Sequence, residues 1–396
     1  MPTSTTSLLH TTLPTTHLAL TSIIGSGSFA TVYAATDLLT SHPYAVKALD
    51  KTGLTPDQLE NQKKEVKLTQ RVQGHPNIVR LERVVETSRW LFLVLEWCEM
   101  DLYDAITQTS GFPPSIVKQV FSQLCSALTH CHTLGISHRD IKPENALISS
   151  TYTVKLADFG LATCCTWSKE MGCGSVRYMA PECIDSPCTR SVGYDPFCTD
   201  VWSLGIILVN LLFGKNPWHE ATASDAIYAA YRGSNPDILV EQFGITTEFN
   251  TILARVFDPN PLSRPSVSEL ALLIDSLDRF IIDDPQSCST DSPVTSFWAD
   301  SLFDPPYDAP PTPQLVSTSY TKLCDSGFDE GCGLLEQHAR GRGDWIFTLP
   351  VFPPPEGQRR PDKGPDKGPD KDEEDEDEGF SFVKSAVEVL RVFVGE

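Results

Sequence analysis

The sequence predicts an α+β chain of two lobes, a small β-rich unit followed by a larger helical one, with a disordered tail behind them. Three observations carry that expectation. Apolar residues alternate in short runs up to about residue 97, recur at helical spacing from about residue 101, and give way to Pro, Ser and acidic residues after about residue 283. The expected boundaries are a flexible N-terminus at 1–16, a folded body at 17–280 divided between 97 and 98, and a mostly disordered tail at 281–396.

The elements follow in order. "MPTSTTSLLHTTLPTTH" is Thr/Ser-rich and lacks the basic-then-apolar order of a secretory signal. "LTSIIGSGSFATVYAATD" and "PYAVKALD" are β-rich segments around a Gly-rich turn. "DQLENQKKEVKLTQRV" predicts a helix, and "HPNIVRLERVVE" and "WLFLVLEW" predict two further strands. "SIVKQVFSQLCSALTHCHTLG" has apolar residues three and four apart and ends in Gly135, a helix with its C-cap. "TDVWSLGIILVNLLFG" and "SVSELALLIDSLDRF" predict two more helices. The longest strongly apolar stretch, "LGIILVNLLFG", falls short of the ~20 residues that span a bilayer, so it reads as a buried helix and no membrane partner is expected.

The tail segments "DDPQSCSTDSPVTS", "DPPYDAPPTPQ" and "PVFPPPEGQRRP" bury too little apolar surface to offset ordering entropy. A tandem repeat, "GPDKGPDKGPDK", runs into the acid block "DEEDEDEG". Residues Val383, Ala386, Val387, Leu390 and Phe393 have helical spacing, which predicts a short helix at 380–394, either fraying or docking.

Bulk composition narrows the function. A chain of 396 residues with 40% hydrophobic content holds one large two-lobed unit or two ordinary domains. The last 116 residues hold 24 Asp/Glu against 10 Lys/Arg, and the first 280 hold 28 against 21. So acidic a chain is poorly suited to nucleic acid, which is bound by clustered cations that displace counterions. Twelve cysteines are irregularly spaced, with no CxxC pair, and are expected as free thiols in a reducing compartment.

One stretch is explained by neither helical nor strand periodicity. "HRDIKPENALI" sets Asp140, Lys142 and Asn145 close together: a carboxylate to receive a proton, a cation to steady a phosphate, an amide oxygen to hold a metal. Upstream, "IIGSGSFATV" matches G-x-G-x-x-G-x-V except that Ala30 takes the third glycine's place. Gly25 and Gly27 let backbone approach a triphosphate with no Cβ in the way. Lys47, 22 residues past Gly25 in "YAVKAL", is suited to gripping phosphates. A carboxylate must orient it; Glu65 in the next helix is the choice, with Glu60 as the alternative. "KLADFGLA" places Asp158 eighteen residues after Asp140, and "YMAPE" places Glu182 twenty-four residues further on.

HRDIKPEN, DFG, APE and the downstream "DVWSLG", in this order and spacing, resemble the protein kinase superfamily over roughly residues 17–280. The resemblance implies a bilobal protein-kinase fold that binds ATP and Mg²⁺. It implies that Asp140 accepts or positions the substrate hydroxyl proton and that Lys142 neutralises the moving γ-phosphoryl group. Asn145 and Asp158 would hold two Mg²⁺ ions, and Lys47 and Glu65 would form the phosphate-gripping pair. Ile24, Gly25, Ser26, Gly27, Val32, Ala45 and Leu147 would line the nucleotide site, with Leu95 as gatekeeper, Glu96–Cys98 as adenine hinge and Asp101 at the ribose. Glu182 would pair with Arg264, and Asp200 would brace the catalytic loop through its backbone.

Lys142 and Ser175 match the serine/threonine type, in which Ser175 is implied to bond both Asp140 and Lys142. "DFGLAT" and "GCGSVRYMAPE" are similar to fungal Ran/Pat-type kinases, which restrain mating and meiosis according to nutrients. The expected function is transfer of the ATP γ-phosphate to Ser/Thr hydroxyls of proteins. The alternative is a catalytically inert ATP-binding scaffold presenting an acidic tail, for which only Ala30 argues. Expected partners are protein substrates, with a basic residue upstream of the acceptor drawn to Glu144, and unidentified partners of the tail. The chain is expected to be a monomer of the cytoplasm, with the nucleus as a second location.

Activation departs from the usual pattern. Arg139, before the catalytic Asp, usually requires an anion from the activation segment. The usual phosphothreonine place, four residues before Ser175, is Met171, which cannot be phosphorylated. Glu170 beside it is expected to supply a fixed charge, with phosphorylation of Thr166 or Ser168 as the alternative. Nothing local to Cys164, Cys165 or Cys173 argues for a lowered thiol pKa.

Overall fold

The computed structural model of the chain describes residues 8–27, 30–184, 193–282 and 345–347. The expected helix at 380–394 and the remainder of the tail lie outside the described residues. The chain divides into 1–349 and 350–396, and everything below concerns the first unit.

The N-lobe is built on an antiparallel sheet of β1 (Leu18–Ser26), β2 (Ala30–Asp37), β3 (Pro43–Asp50), β4 (Leu81–Glu86) and β5 (Trp90–Glu96), in the order β1-β2-β3-β5-β4. One helix, α1 (Pro56–Arg71), lies between β3 and β4. Its start is written in the sequence: Thr55 caps the Gln58 amide, the Gln58 side chain caps Thr55 in return, and Pro56 occupies the first turn. Strand alternation makes two cores. Val46 and Ala48 pack on one face with Leu18, Leu20, Tyr33 and Val94, while Leu49 packs on the other with Leu81, Val84, Leu91 and Leu93. Lys47 therefore shares its face with Leu49 and points away from Val46.

Three expectations change here. Residues 8–16, read from composition as flexible, cover the outer face of the sheet. Leu13 is buried in that core, Leu8 and Leu9 pack against it, and Thr12 bridges to Ala19. Three leucines outweigh the polar residues around them. Trp345–Phe347, read as part of the tail, form a strand along β4, with Glu86 opposite Trp345 and Val84 opposite Phe347. β4 would otherwise be the sheet's open edge, and aromatic and β-branched residues suit such pairing. The strand expected over 75–86 is also shorter than its apolar pattern: Ile78 makes only an isolated bridge, to Leu156, and β4 begins at Leu81.

The C-lobe begins with β6 (Met100–Asp101), α2 (Leu102–Thr109) and α3 (Pro114–Thr133). α3 stops where expected: Leu134 caps it and Gly135 takes φ +68°, a left-handed conformation that glycine adopts freely. β7 (Ala146–Ile148) and β8 (Val154–Leu156) pair with β6 in a small sheet that carries the catalytic loop on its rim. The remaining helices are α4 (Pro196–Phe213), α5 (Ala226–Arg232), α6 (Ile238–Phe243), α7 (Thr247–Val256) and α8 (Val267–Ser276). The tail strand Trp345–Phe347 is β9.

Helix α4 has the length and hydropathy of a membrane-spanning helix, but it is the axis of the C-lobe, with Trp202, Leu204, Ile206, Ile207, Leu208 and Leu211 fully buried. Gly205 lets α7 approach: a Cβ there would lie 2.5 Å from Val256 Cγ1 and 2.8 Å from Phe257 Cε1. The Arg264 guanidinium stacks over Trp202 and grips both oxygens of Glu182 at 2.5 and 2.8 Å, tying the end of the activation segment to the last helices.

Two substitutions test this core. Gly205→Ala is expected to destabilise by about 1–3 kcal/mol through overpacking. Arg264→Ala is expected to destabilise by about 3–5 kcal/mol, because it leaves a half-buried carboxylate unpaired. Both are read as midpoint shifts in urea denaturation at constant slope.

Candidate active site

Where the lobes meet, Lys47 stands between two carboxylates. Its ammonium lies 2.7 Å from Glu65 on α1 and 2.8 Å from Asp158 after β8. Glu60, the alternative, faces outward to Lys67 at 3.4 Å. Five residues along a helix is about 140° of rotation, so only one of the two glutamates can face the sheet. Glu65 shares its stripe with Leu68, Thr69 and Val72, all buried. Burial alone would lower the Lys47 pKa, but the charges of Glu65 and Asp158 raise it above the ordinary lysine value. Burial raises the Glu65 carboxyl against the pull of Lys47, whereas at Asp158 the charge and hydrogen bond of Lys47 overcome burial and hold the carboxyl low.

Asp158 adopts φ +61°, an uncommon backbone state that a short acidic side chain tolerates. Its Oδ1 accepts the Gly160 amide at 3.1 Å. A Cβ at Gly160 would be a tight fit, 3.1 Å from Asp158 Oδ1 and 3.3 Å from Glu65 Oε2.

The second half of the site is the loop that follows Ser137. Asp140 Oδ1 accepts the Ser175 hydroxyl at 2.9 Å, and Lys142 donates to Ser175 Oγ and to Asp140 Oδ2, each at 2.9 Å. The Asn145 amide donates to both the carbonyl and the Oδ2 of Asp140 at 2.9 Å. The Asn145 carbonyl accepts the Ala157 amide at 2.8 Å, which sets Asn145 beside Asp158. Side-chain oxygens of Asn145 and Asp158 are hard donors of the kind Mg²⁺ takes.

Asp200 on α4 holds this loop from beneath. Its carboxylate, 1% exposed, accepts the amides of His138 and Arg139, the Ser137 hydroxyl and His132 Nε2 at 2.8–2.9 Å. Burial would raise its pKa, but the His132 hydrogen bond and charge keep it below the ordinary aspartate value. His138 is fully buried, bonds the Ala157 carbonyl at 2.9 Å through Nε2 and packs edge-on against Phe159. His132, Ser137 and Tyr194 were not singled out in the sequence. His132 has the one available signal, a polar residue on the inward face near the end of α3.

The expected nucleotide-lining residues fall around this cleft. Ile24, Gly25 and Ser26 end β1, and the Gly27 amide closes the turn onto the Ala30 carbonyl at 2.9 Å. Register places Gly25 opposite Val32, Val32 opposite Lys47, and Ala45 opposite Leu95. Leu147, in β7, stands opposite Asp101. The Glu96 carboxylate has a structural role through Oε1, which accepts the Arg80 amide and pairs with Lys155 at 2.9 Å. Burial pushes the Cys98 thiol up to about 11. Asp101 caps α2 through Oδ1, bonded to the Asp104 amide at 2.8 Å, so one oxygen remains for a ribose. Cys173 lies near Arg139, yet burial dominates and raises its pKa, opposite to what a redox thiolate needs.

Comparison with known proteins agrees with this geometry. The protein kinase domain model matches residues 18–272. The negative regulator of sexual conjugation and meiosis of Schizosaccharomyces pombe is 42% identical over 279 residues, covering 65% of this chain and 59% of that protein. Serine/threonine-protein kinase VHS1 of Saccharomyces cerevisiae is 32% identical over 68% of this chain and 72% of its own length. CBL-interacting protein kinase 32 of Oryza sativa subsp. japonica is 34% identical over 62% of this chain and 56% of its own.

Asp200→Asn is expected to destabilise by about 3 kcal/mol or more, since an amide cannot accept from four donors around a buried site. Because the wild-type pKa is depressed, the stabilisation is complete above the ordinary aspartate value of 3.8 and lost as pH falls below it. Denaturation followed from pH 7 to pH 3 should show the gap between wild type and variant constant at first and narrowing only at the acid end.

Proposed function

The chain belongs to the protein kinase family, and on that premise we propose that it is a protein serine/threonine kinase consuming ATP with Mg²⁺. The observation that carries the reading is the Asp140–Lys142–Ser175 cluster, in which carboxylate, ammonium and hydroxyl lie within 2.9 Å of one another. Asp140 orients the acceptor hydroxyl and receives its proton as the oxygen attacks the γ-phosphorus. Lys142 neutralises charge on the equatorial oxygens as the bond to ADP breaks. Lys47, held by Glu65, anchors the α- and β-phosphates. Phosphoryl transfer asks little covalent help of a protein; it asks for alignment and charge, and each group here is already placed. Bound Mg²⁺, held by Asn145 and Asp158, would screen the phosphates and favour the departing charge. The inert-scaffold alternative has no support: no charged group of the set is displaced, and Ala30 merely begins β2 while its carbonyl closes the phosphate turn.

The acidic surroundings of Glu144 support substrates with a basic residue near the acceptor. Partial loss of solvent raises the Glu144 carboxyl and Lys142 lowers it, while Asp140 and Asp101 add repulsion; the residue is exposed, so a substrate cation can reach it and relieve that repulsion. The Schizosaccharomyces pombe relative supports a place in signalling that governs conjugation and meiosis. The acidic tail supports additional protein partners.

Asp140→Asn should lower phosphate transfer from labelled ATP to a basic protein by at least about 100-fold, with ATP affinity retained. Chelation of divalent metal should abolish transfer, and Mg²⁺ should restore it. Wild-type material that consumes no ATP with any protein acceptor would reject the kinase reading. Glu144→Ala should flatten the preference for upstream Arg on a peptide array while leaving kcat on the best neutral peptide within a few-fold.

A further inference from the structure

Arg139 precedes the catalytic aspartate and is held through both its backbone and its side chain. Its backbone is left-handed at φ +66°, its amide is held by Asp200 at 2.8 Å, and its side chain is 6% exposed. The guanidinium donates through Nε to the Leu161 carbonyl at 2.6 Å and through Nη1 to Glu170 Oε2 at 2.5 Å. Leu161 follows the Asp158–Gly160 turn, and Glu170 belongs to the segment that ends at Ser175. One side chain thus joins the catalytic loop, the metal-holding turn and the activation segment.

Glu170 meets it from a fixed position. The Tyr194 hydroxyl donates to the Glu170 carbonyl at 2.9 Å, and the Glu170 amide reaches Ser168 Oγ at 3.2 Å. Ser168 and Tyr194 exchange two backbone hydrogen bonds at 2.8 Å. The Arg139 and Lys64 charges together lower the Glu170 pKa, outweighing the partial desolvation of its otherwise exposed side chain. Lys64 adjoins Glu65 on α1, so the same carboxylate faces the helix that orients Lys47.

We propose that Glu170 is a built-in anion that positions Arg139, so that the kinase holds its active arrangement with no phosphate on its activation segment. This rests on the kinase reading above. The residue at the usual phosphorylation place, Met171, has no hydroxyl and packs partly against the C-lobe core. Ser168 is buried, with its backbone locked to Tyr194, so a modifying enzyme would have to open the segment to reach it. Of the two hydroxyl candidates near this place, Thr166 is the exposed one. Glu170 acts through Arg139 and touches no substrate; it is a positioning residue.

The test uses full-length protein made with a co-expressed phosphatase and verified free of phosphate by mass spectrometry. Its kcat is expected to equal that of untreated protein, and Thr166→Ala is expected to match wild type. Glu170→Gln, an isosteric change at a surface-exposed side chain, is expected to lower kcat about tenfold or more with KM for ATP little changed, the effect of one lost charge-assisted hydrogen bond. Arg139→Met combined with Glu170→Gln is expected to be no slower than Arg139→Met alone, a coupling that a merely structural glutamate would not produce. Hydrogen exchange over residues 138–145 should quicken in Glu170→Gln, a readout that does not depend on turnover. A tenfold loss on dephosphorylation, a Thr166→Ala enzyme that is inactive, or unchanged exchange and rate in Glu170→Gln would each overturn the proposal. If no form of the protein transfers phosphate, the kinase reading fails, and the exchange result still decides whether Glu170 orders the loop.

Discussion

Two carboxylates brought close together repel each other, and the Lys47 ammonium is what holds them in place. It draws Glu65 from α1 and Asp158 from beyond β8 to within 2.8 Å of a single nitrogen. Three elements remote in the chain are thereby registered against one another. Helix α1 can answer that pull because it belongs to both lobes. Val66 packs under the N-lobe sheet, while Leu68 and Val72 join the C-lobe core. Its apolar stripe sets its height and its glutamate sets its rotation, so the ion pair reports whether the lobes are correctly apposed.

The groups that do chemistry and the groups that hold them are segregated. Asp140, Lys142, Asn145 and Asp158 sit on short irregular segments, where local backbone freedom allows several side chains to converge. What fixes those segments is buried in helices. Asp200, near the N-terminal end of α4, collects four donors and so converts a loop into a rigid rim. α4 itself is immobilised by the close approach at Gly205 and by the Glu182–Arg264 pair stacked on Trp202. Preorganisation of this kind matters because a transition-state charge is stabilised best by dipoles and ions that need not move to meet it.

Legibility in the sequence follows the same division. The reacting groups were readable because phosphate chemistry demands particular residue types at short, fixed spacings. Glu65 was readable over Glu60 for a further reason: it shares a helical stripe with Leu68 and Val72, so a charged residue there must meet a buried partner. The long helices α1 and α3 were readable from periodicity and α4 from its apolar run, whereas α5 and α6, at seven and six residues, are too short to show a period. Leu13 was masked by a run of threonines, and β9 by the prolines and glycines around it. Tyr194 and Ser137 act through partners that only tertiary structure supplies, and no local pattern announces them.

The charge at Glu170 shows how such supports change what a residue can do. A phosphate carries nearly two charges and three acceptor oxygens; a carboxylate carries one charge and two oxygens. Placed on a mobile loop, the weaker anion would order Arg139 poorly, because part of its attraction would be spent on ordering the loop itself. Here the Tyr194 hydroxyl and the Ser168–Tyr194 bridge have already fixed the Glu170 backbone, and the Arg139 backbone is fixed by Asp200. Only two side chains remain to be ordered by the ion pair. A single carboxylate suffices where scaffold hydrogen bonds have done the rest, and a charge written into the sequence cannot be removed by a phosphatase. Control of such an enzyme must then act elsewhere: on the approach of substrate to Asp140, on α1, or on the amount of protein.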